Sequence, residues 1–407
     1  MPTVNVPADY ASVTLALAAA DKLGGWIIEV DPGTYNEALS FAATDGGWLL
    51  PATVRAADPN DKPVFTSTGA AQAVNMASIM KSDSAGIPIL ENLVFQGWTA
   101  ATNGVIRMVA DTTQRGCTAN IRGCDFVGNV AMKCIKLCGT LANPGVVEKC
   151  TFKTSGQSIQ VLSNYSWIEN CWANLPTNIP FQSGAFLTST YVYHCAVQGV
   201  WNTGGGIKVM TGLLEYKACS FKNTGTSGSH AIDASGGGSY TKCISHGTFG
   251  TVFAGTDGGG NLTSTDPEYT DADNFDFTTS ATAPGFRYVA RDSSVTTTID
   301  DVSRADPTDV GPYEAIEPTV LGTITVQSDT VVRVDFSGGP NPDPEEVELV
   351  NVANWVITKE SPDIGVALEV TEVTPAEDGS YVDLTLDREQ TTGQVYTVTV
   401  SGVPGLT

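Results

Sequence analysis

Two glutamates, Glu148 and Glu169, are the side chains whose types and spacing could support catalysis. Both occupy the same position of a repeated sequence pattern, so we expect them on neighbouring turns of a coiled chain. A pair of carboxylates roughly 5 Å apart is the arrangement that retaining glycoside hydrolases use. The same position holds Arg122 in one repeat and Lys217 in another. We expect the column that these residues form to face a turn rather than a groove. We therefore favour a solvated charge ladder and expect no catalytic residue.

A cysteine recurs at a nearly constant interval through the middle of the chain. Six of the nine cysteines follow an apolar or aromatic residue by three positions, with spacings of 26, 21, 24, 24 and 24 residues: Cys124, Cys150, Cys171, Cys195, Cys219 and Cys243. A fixed period of about this length is the signature of a stacked solenoid. Because neighbouring coils lie about 4.8 Å apart, this cysteine ladder predicts a column of reduced, buried thiols that pack as small hydrophobic groups.

The residues around each cysteine predict two short strands joined by a bend. Three positions of each repeat must point into one interior: the residue three before the cysteine, the cysteine itself and the residue two after it. The first two are an odd number of positions apart, so they cannot lie on the same face of one straight strand. Two strands and a tight turn describe one rung of a parallel β-helix. His194 occupies the bend where other coils have Asn92 and Asn170, so we expect a structural role for it. A third strand is expected in each coil at residues 132–137, 158–162, 186–190, 206–210, 230–234 and 250–254.

Three tryptophans are the candidate residues for contact with glycans. Trp98, Trp172 and Trp201 could stack on sugar rings, and burial in the core or contact with another protein are the alternatives. No further motif in the sequence distinguishes these three outcomes.

Metal binding is not predicted by the remaining clusters. Asp271, Asp273 and Asp276 offer oxygen ligands for calcium but lack the glycine and the final glutamate of an EF-hand loop. Cys134 and Cys138 have no matching second pair, so they do not predict a zinc site. We expect a turn at the aspartates, no metal site and no cofactor.

The net charge of −23 is concentrated towards the C-terminus. Residues 318–407 carry 15 acidic and 3 basic side chains, and residues 261–317 carry 12 and 3, which leaves −2 for the first 260 residues. Acidity of this kind repels nucleic acid and anionic membranes, so neither is an expected partner. The first 260 residues are nearly neutral and so lack the charge that keeps the surfaces of separate molecules apart. We therefore expect this part of the chain to form a homo-oligomer, with a trimer favoured.

No targeting segment is recognisable in the sequence. There is no run of about 18 apolar residues, so no membrane span is predicted. The opening Met1-Pro-Thr-Val is not followed by the basic and apolar regions of a secretory signal. We therefore expect the chain to be made and folded in a cytoplasm.

The first 315 residues carry a family resemblance at both ends. Pro7-Ala-Asp-Tyr-Ala-Ser-Val13 followed by Ile28-Glu-Val-Asp-Pro-Gly-Thr-Tyr-Asn-Glu37 resembles the opening of right-handed parallel β-helix proteins of the pectin-lyase-like superfamily, in which a helix plugs the end of the coil. Asp266-Pro-Glu-Tyr269 and the stretch from Arg304 to Glu314 resemble the closing segment of such proteins, with Pro312 as a departure. The resemblance implies the fold but no activity, since the superfamily includes lyases, hydrolases, epimerases, adhesins and phage spikes.

The last 90 residues predict a separate β-sandwich. Alternating runs occur at 323–326, 330–336, 355–358, 367–373, 381–386 and 394–400, with turn residues between them. The final runs resemble bacterial immunoglobulin-like domains, which are commonly attachment or spacer modules. The sequence thus predicts an all-β protein, with a right-handed parallel β-helix at residues 1–316 and an immunoglobulin-like β-sandwich at 317–407.

These observations favour a non-enzymatic structural protein of a bacteriophage virion, made in the host cytoplasm. A rigid solenoid without a convergent catalytic cluster, followed by a spacer-type domain, resembles capsid decorations, head fibres and tail spikes. The expected partners are other virion proteins, further copies of the chain and host-surface glycans. Two alternatives stay open, namely a polysaccharide lyase or glycoside hydrolase, and a bacterial surface adhesin.

Overall fold

The chain forms two compact units, Met1–Glu314 (unit 1) and Ala315–Thr407 (unit 2). The computed structural model describes residues 2–20, 26–41, 52–66, 72–76, 87–99, 104–108, 119–129, 133–137, 144–153, 157–161, 166–175, 181–183, 187–199, 207–208, 212–225, 231–233, 237–249, 251–271, 276–279, 283–285, 288–290, 295–299, 303–304, 308–313, 319–328, 330–338, 347–359, 368–376, 380–389 and 396–400. The division falls two residues before the boundary that the sequence predicts.

Unit 1 is a parallel β-solenoid, which confirms the prediction of a coiled β-structure. Its first sheet has eleven strands in coil order, Thr3–Val6, Ile27–Val30, Thr53–Ala56, Ile89–Glu91, Asn120–Arg122, Gly145–Glu148, Ser166–Glu169, Leu187–Tyr193, Gly212–Lys217, Ser239–Thr241 and Thr256–Asp257. The second sheet has nine, Thr34–Tyr35, Val64–Thr66, Val94–Gln96, Asp125–Val127, Thr151–Lys153, Trp172–Leu175, Ala196–Gly199, Ser220–Asn223 and Ile244–His246.

The third side of the solenoid is built from shorter strands. Six form one sheet, Leu39–Ser40, Val74–Met76, Ile106–Met108, Lys133–Leu137, Gln157–Val161 and Phe181–Ser183, and three form another, Ile207–Lys208, Ile232–Asp233 and Phe253–Ala254. The third strand predicted at 186–190 is wrong, because Leu187–Tyr193 belongs to the first sheet. That strand has seven residues and includes a register irregularity between Leu187 and Thr190. Its first residues therefore resemble a separate third strand in the sequence.

The bend between the first and second sheets is one residue in the left-handed conformation. This residue precedes the cysteine ladder position, and its φ lies between +50° and +59° in seven successive coils: Asn92, Gly123, Lys149, Asn170, His194, Ala218 and Lys242. A left-handed residue interrupts the alternation of the strand, so the residues on both sides of the bend reach one interior. At Gly123 an added Cβ would lie 2.1 Å from the Asn92 side-chain oxygen, so a larger residue there would have to displace the Asn92 side chain.

The interior of the solenoid is continuous from coil to coil. All six ladder cysteines have no solvent exposure. Beside them runs a stack of aromatic rings, with centroid separations of 5.5, 5.9, 5.4 and 5.0 Å along the series Tyr35, Phe65, Phe95, Phe126 and Phe152. Each buried ring contributes on the order of 1.5–3 kcal/mol through the apolar area that it removes from water. Similar side chains therefore pack on each other over five successive coils, and Ala173 and Val197 continue the same column in the next two.

A short helix packs on the first coil. It spans Val13–Ala19, and the Ser12 hydroxyl caps it by accepting a hydrogen bond from the Leu15 amide at 3.2 Å. The Glu37 carboxylate accepts from the amides of Val13 and Thr14 at 3.0 and 2.9 Å, which satisfies further unpaired donors of the first turn. The buried side of the helix joins the core of the solenoid, where a coil end would otherwise be uncovered.

A closing segment, residues 262–313, packs on the outer side of the later coils. It contains an antiparallel hairpin of Tyr269–Asp271 and Asp276–Thr279. The Phe277 ring stacks on Trp172 with a centroid separation of 5.0 Å. Further along, apolar residues of this segment form a small buried cluster with Ala218 and Ile244 of the coils. The outer face of the second sheet is therefore covered from about Trp172 onwards.

Unit 2 is antiparallel. A four-stranded sheet has the order Thr319–Ser328, Val331–Gly338, Tyr381–Leu386, Val370–Pro375, and a two-stranded sheet joins Trp355–Lys359 to Tyr396–Val400. A four-residue helix, Val347–Val350, and the 3-10 turn Val352–Asn354 precede Trp355. The core includes Trp355, whose indole N–H donates to the Leu349 carbonyl at 2.9 Å.

Candidate functional site

A column of mostly charged residues runs along the outer face of the first sheet, two positions before the ladder cysteines. The strand register places its members on successive coils: Glu29, Arg55, Glu91, Arg122, Glu148, Glu169, Tyr193, Lys217 and Thr241. Acid and base alternate until Glu148, which is followed by a second acid. Glu148 and Glu169 are therefore neighbours on adjacent coils, in the register that the sequence predicts.

Glu148 forms an ion pair with the coil before it. Its carboxylate lies 3.2 Å from Arg122 Nε, and both side chains are partly exposed. The same motif occurs earlier in the column, where Arg55 lies 2.5 Å from Glu29. Exposed pairs of this kind contribute about 0–1 kcal/mol each, so they set the charge pattern of the surface more than its stability.

A groove of about 780 Å³ opens beside this column and crosses four coils. It is lined by Pro59, Asn60, Lys62, Glu91, Asn92, Val94, Arg122, Gly123, Asp125, Val127, Glu148, Lys149, Thr151, Lys153, Trp172, Ile299 and Tyr313. This corrects the expectation that the column faces a turn and no groove. The walls come from the loop at 59–62 and from the closing segment, both of which are distant in sequence from the column residues Glu91, Arg122 and Glu148 that line the groove. Glu169 is not among the lining residues.

The groove holds more bases than acids, although the chain as a whole is strongly acidic. Its charged lining residues are Lys62, Arg122, Lys149, Lys153, Glu91, Asp125 and Glu148, a net charge of +1. Lys62 Nζ lies 3.0 Å from the Asp125 carboxylate and donates to the Gly123 carbonyl at 2.7 Å. The Thr151 hydroxyl also donates to Asp125. Two of the three acids of the groove, Asp125 and Glu148, are thus engaged by neighbouring donors, and no two of the three are register neighbours.

The tryptophans predicted to contact glycans occupy different environments. Trp98 is fully buried, and its indole N–H donates to the Phe65 carbonyl at 3.0 Å, so a sugar cannot reach it. Trp172 lines the end of the groove but is only 3% exposed, because Phe277 covers one face of its ring. Lys153 Nζ lies 5.4 Å from its ring centroid. Trp201 lies outside the described residues.

An aromatic cluster that the sequence analysis missed lies on the outer face of the first sheet. Trp167 stacks on Tyr191 with a centroid separation of 4.3 Å and meets Tyr193 edge to face at 5.7 Å. The Tyr193 hydroxyl donates to the Glu215 carboxylate at 2.7 Å, and Lys217 Nζ lies 5.7 Å from the Tyr193 ring. The position four residues before the cysteines, which holds Trp167 and Tyr191 in adjacent coils, is the sequence signal that would have identified this cluster.

The ladder cysteines are free thiols buried in the core of the solenoid. The structure describes them and Cys134, and all seven are buried and unbridged. The Cys171 thiol donates to the carbonyls of Glu169 and Val147 at 3.2 and 3.6 Å, and the other ladder thiols also donate to main-chain carbonyls. Burial raises the pKa of Cys124, Cys150 and Cys171 well above the ordinary thiol value. Cys117 and Cys138 lie outside the described residues.

No group of three or more possible metal ligands occurs among the residues that the structure describes. Asp271 and Asp276 are opposite each other in the hairpin of the closing segment, and Asp273 lies outside the described residues. Within the same described part of the chain, no helix is long and apolar enough to cross a membrane.

A buried polar network fixes the closing segment onto the bends of the coils. Arg304 is 2% exposed and donates to Asn170 Oδ1 at 2.6 Å, to the Gly311 carbonyl at 2.9 Å and to the Thr308 hydroxyl at 3.0 Å. His194 is fully buried at the next bend. Burial, and after it the Arg304 charge, holds the pKa of His194 well below its ordinary value. This network is structural, because it is closed to solvent.

Comparison with known proteins returned no match of any kind. The chain matches no family model, no curated protein and no solved structure. The geometry of the groove and of the outer faces is therefore the basis for assigning a function.

Proposed function

We propose that the chain is a non-enzymatic structural protein of a bacteriophage virion, a capsid decoration, head fibre or tail spike, that holds a host-surface glycan in the groove. The observation that carries this proposal is the pairing inside the groove. Glu148 lies 3.2 Å from Arg122, and Asp125 lies 3.0 Å from Lys62. Carboxylates that are paired with basic side chains suit a surface that binds a glycan better than one that cleaves it.

The shape and charge of the groove support a glycan as its ligand. Its volume of about 780 Å³ is within the range of ligand sites. It crosses several coils, so an extended chain can lie along the solenoid. Lys149 and Lys153 add positive charge, and Thr151 and Asn92 add polar groups suited to hydroxyls. An acidic saccharide matches this lining better than a neutral one.

The architecture of the two units supports the structural part of the proposal. We assign unit 1 to the right-handed β-helices of the pectin-lyase-like superfamily and unit 2 to the immunoglobulin-like domains. Two antiparallel sheets that enclose a buried tryptophan, Trp355, suit the second assignment. A rigid shaft followed by a spacer module fits a projecting part of a particle. Its expected partners are other virion proteins and further copies of the chain, with a trimer favoured.

Binding is tested with the intact chain on an array of host-surface and capsular glycans. We expect retention of acidic glycans, and Lys153→Gln should weaken it about tenfold, the effect of about 1.4 kcal/mol. Lys222→Gln is the matched control, because Lys222 has the same position in a later coil and does not line the groove. Equal binding by both variants and the native chain would remove the groove from the proposal.

The virion assignment has a separate test. Particles of the phage whose genome encodes the chain are purified and their proteins identified by mass spectrometry, with gold-labelled antibody to place the chain on the particle. Absence from particles that are otherwise complete would leave the adhesin alternative in its place.

A polysaccharide lyase or glycoside hydrolase is the second candidate. The observation in its favour is that a carboxylate, Glu148, and three bases, Arg122, Lys149 and Lys153, line one groove. Base-assisted proton abstraction or acid catalysis would need such groups. Glycan cleavage by the native chain decides between the candidates.

A further inference from the structure

The longest described strand of unit 2 is also its most exposed. Thr319–Ser328 forms one edge of the four-stranded sheet and pairs, within the described part of the unit, only with Val331–Gly338. All side chains from 323 to 328 are exposed. Ile324 is 45% and Val326 is 60% exposed, although both are large and apolar.

These two side chains lie on the face of the sheet that is buried elsewhere. Ile324 is opposite Val334 and Val326 is opposite Val332 in the antiparallel register, and opposite residues point to the same face. Val334 and Val332 are 0% and 5% exposed in the core of unit 2. The apolar face of the sheet therefore continues onto the edge strand, where it meets solvent.

The edge strand lacks most of the features that normally prevent strands from pairing between molecules. Edge strands are usually protected by charged side chains, proline, short length or β-bulges. The register with Val331–Gly338 does shift between Leu321 and Ile324 and between Val326 and Ser328, and residues 324–326 between these two irregularities pair regularly. The ten residues of Thr319–Ser328 contain neither charge nor proline, within a unit whose residues 318–407 carry a net charge of −12. On the neighbouring strand, the Arg333 charge is neutralised by Asp383, to which it donates twice at 2.8 Å.

We propose that Thr319–Ser328 pairs edge to edge with the same strand of a second copy of this chain. An uncharged, β-branched strand suits this edge, because Ile324 and Val326 offer apolar surface and the ten residues of the strand carry no charge. The strand itself meets that requirement. An equally acidic second copy can approach here without like charges opposite each other, and self-pairing of one patch gives a two-fold contact.

The exposed side chains also determine the register. Antiparallel pairing centred on Thr325 places Ile324 of each copy opposite Val326 of the other, on one face. A slip of one residue would place Ile324 opposite Thr325 or Gln327 and lose both apolar pairs. The paired form thus covers the two most exposed apolar side chains of the strand.

Cross-linking of full-length variants tests the register. In the proposed pairing the two Thr325 Cα atoms lie about 4.5–5.5 Å apart, which suits a disulfide. The two Thr323 Cα atoms would lie about 14 Å apart along the strands. Mild oxidation should therefore link Thr325→Cys into dimers but not Thr323→Cys, with the native chain as the background for its own cysteines. Failure of Thr325→Cys to link, or equal linking of both variants, would overturn the proposal.

Sedimentation equilibrium of the full chain tests the contact itself. Ile324→Lys combined with Val326→Lys should halve the mass, from dimer to monomer or, if the solenoids also associate as trimers, from hexamer to trimer. Val356→Lys is the matched control, since Val356 is 48% exposed on another strand of unit 2 and its loss should leave the mass unchanged. A monomeric native chain, or a mass that the double substitution leaves unaltered, would overturn the proposal.

Discussion

The guanidinium of Arg304 donates a hydrogen bond of 2.6 Å to the side-chain oxygen of Asn170, which lies 134 residues earlier in the chain. Asn170 in turn donates to the Thr297 carbonyl at 2.9 Å. Asn170 is one of the left-handed bend residues, so this contact joins the closing segment directly to a coil. The two parts of unit 1 are thereby coupled through a buried, charged side chain.

Replacement of Arg304 by Met should destabilise unit 1. The loss leaves Asn170 and the Gly311 carbonyl without a charged donor, and we expect the free energy of unfolding to fall by about 1.5–3 kcal/mol. Thiol exposure in denaturant is the measurement, because every cysteine lies in unit 1. Arg55→Met is the control, since its exposed pair with Glu29 should contribute less than about 1 kcal/mol. Equal effects of the two substitutions would show that the network has no special role.

The cysteine ladder should resist thiol reagents in the folded protein. Burial raises the pKa of Cys150 and Cys171 and removes access, so labelling followed by peptide mapping should find all six ladder thiols unmodified until the chain unfolds. Cys171→Phe should cost about 1–3 kcal/mol by overpacking its coil, whereas Cys171→Ala should cost less. Rapid labelling of two or more ladder positions would contradict the stacked interior.

His194 should make unit 1 less stable as the pH falls below about 6.5. Its pKa is lowered in the folded state, so the unfolded chain takes up the proton first. The free energy of unfolding should then fall by up to about 1.4 kcal/mol per pH unit below 6.5, and His194 should contribute no such dependence above that pH. His194→Asn is the control variant, because asparagine occupies the same bend at Asn92 and Asn170. Identical pH profiles for the two proteins would refute this prediction.

The native chain should release neither reducing ends nor unsaturated products from the glycans that it binds. Glu148 is paired with Arg122, and Glu169 lies outside the groove lining. Reducing-sugar and ultraviolet assays on capsular and cell-wall glycans are the measurements. Turnover that disappears in Glu148→Gln or Glu169→Gln but persists in Glu91→Gln would instead establish the enzymatic candidate.

Much of the solenoid is predictable because the same pattern of apolar residues and cysteine repeats within each coil. The spacing of the cysteines and the apolar residues around them determine which side chains point inward, and the register of Glu148 beside Glu169 follows from the same count. The sequence predicts the position of the bend between the two strands but not the backbone conformation of the bend residue. The φ values near +55° show that the bend is left-handed even at Lys149 and Ala218, residue types that do not indicate this conformation in a sequence.

The groove could not be predicted, because its walls are contributed by non-local contacts. Ile299 and Tyr313 reach the column only after the closing segment has folded back over the coils. The choice between burial and glycan contact for Trp98 could not be made from the sequence for a related reason. Its position follows the second strand, where the alternation of inward and outward residues has ended and Asn129 of the next coil accepts from its amide at 2.8 Å.

The closing segment also determines how the protein would carry mechanical load. If unit 1 ended at its last coil, tension on the C-terminal side would peel coils off one at a time, each resisted by a few hydrogen bonds. Because Arg304 is bound at Asn170, tension instead enters the stack several coils earlier and is shared among Asn170, Ala218 and the strands between them. The later coils are thereby bypassed by the load path, so the solenoid should yield abruptly at high force and not in small successive steps.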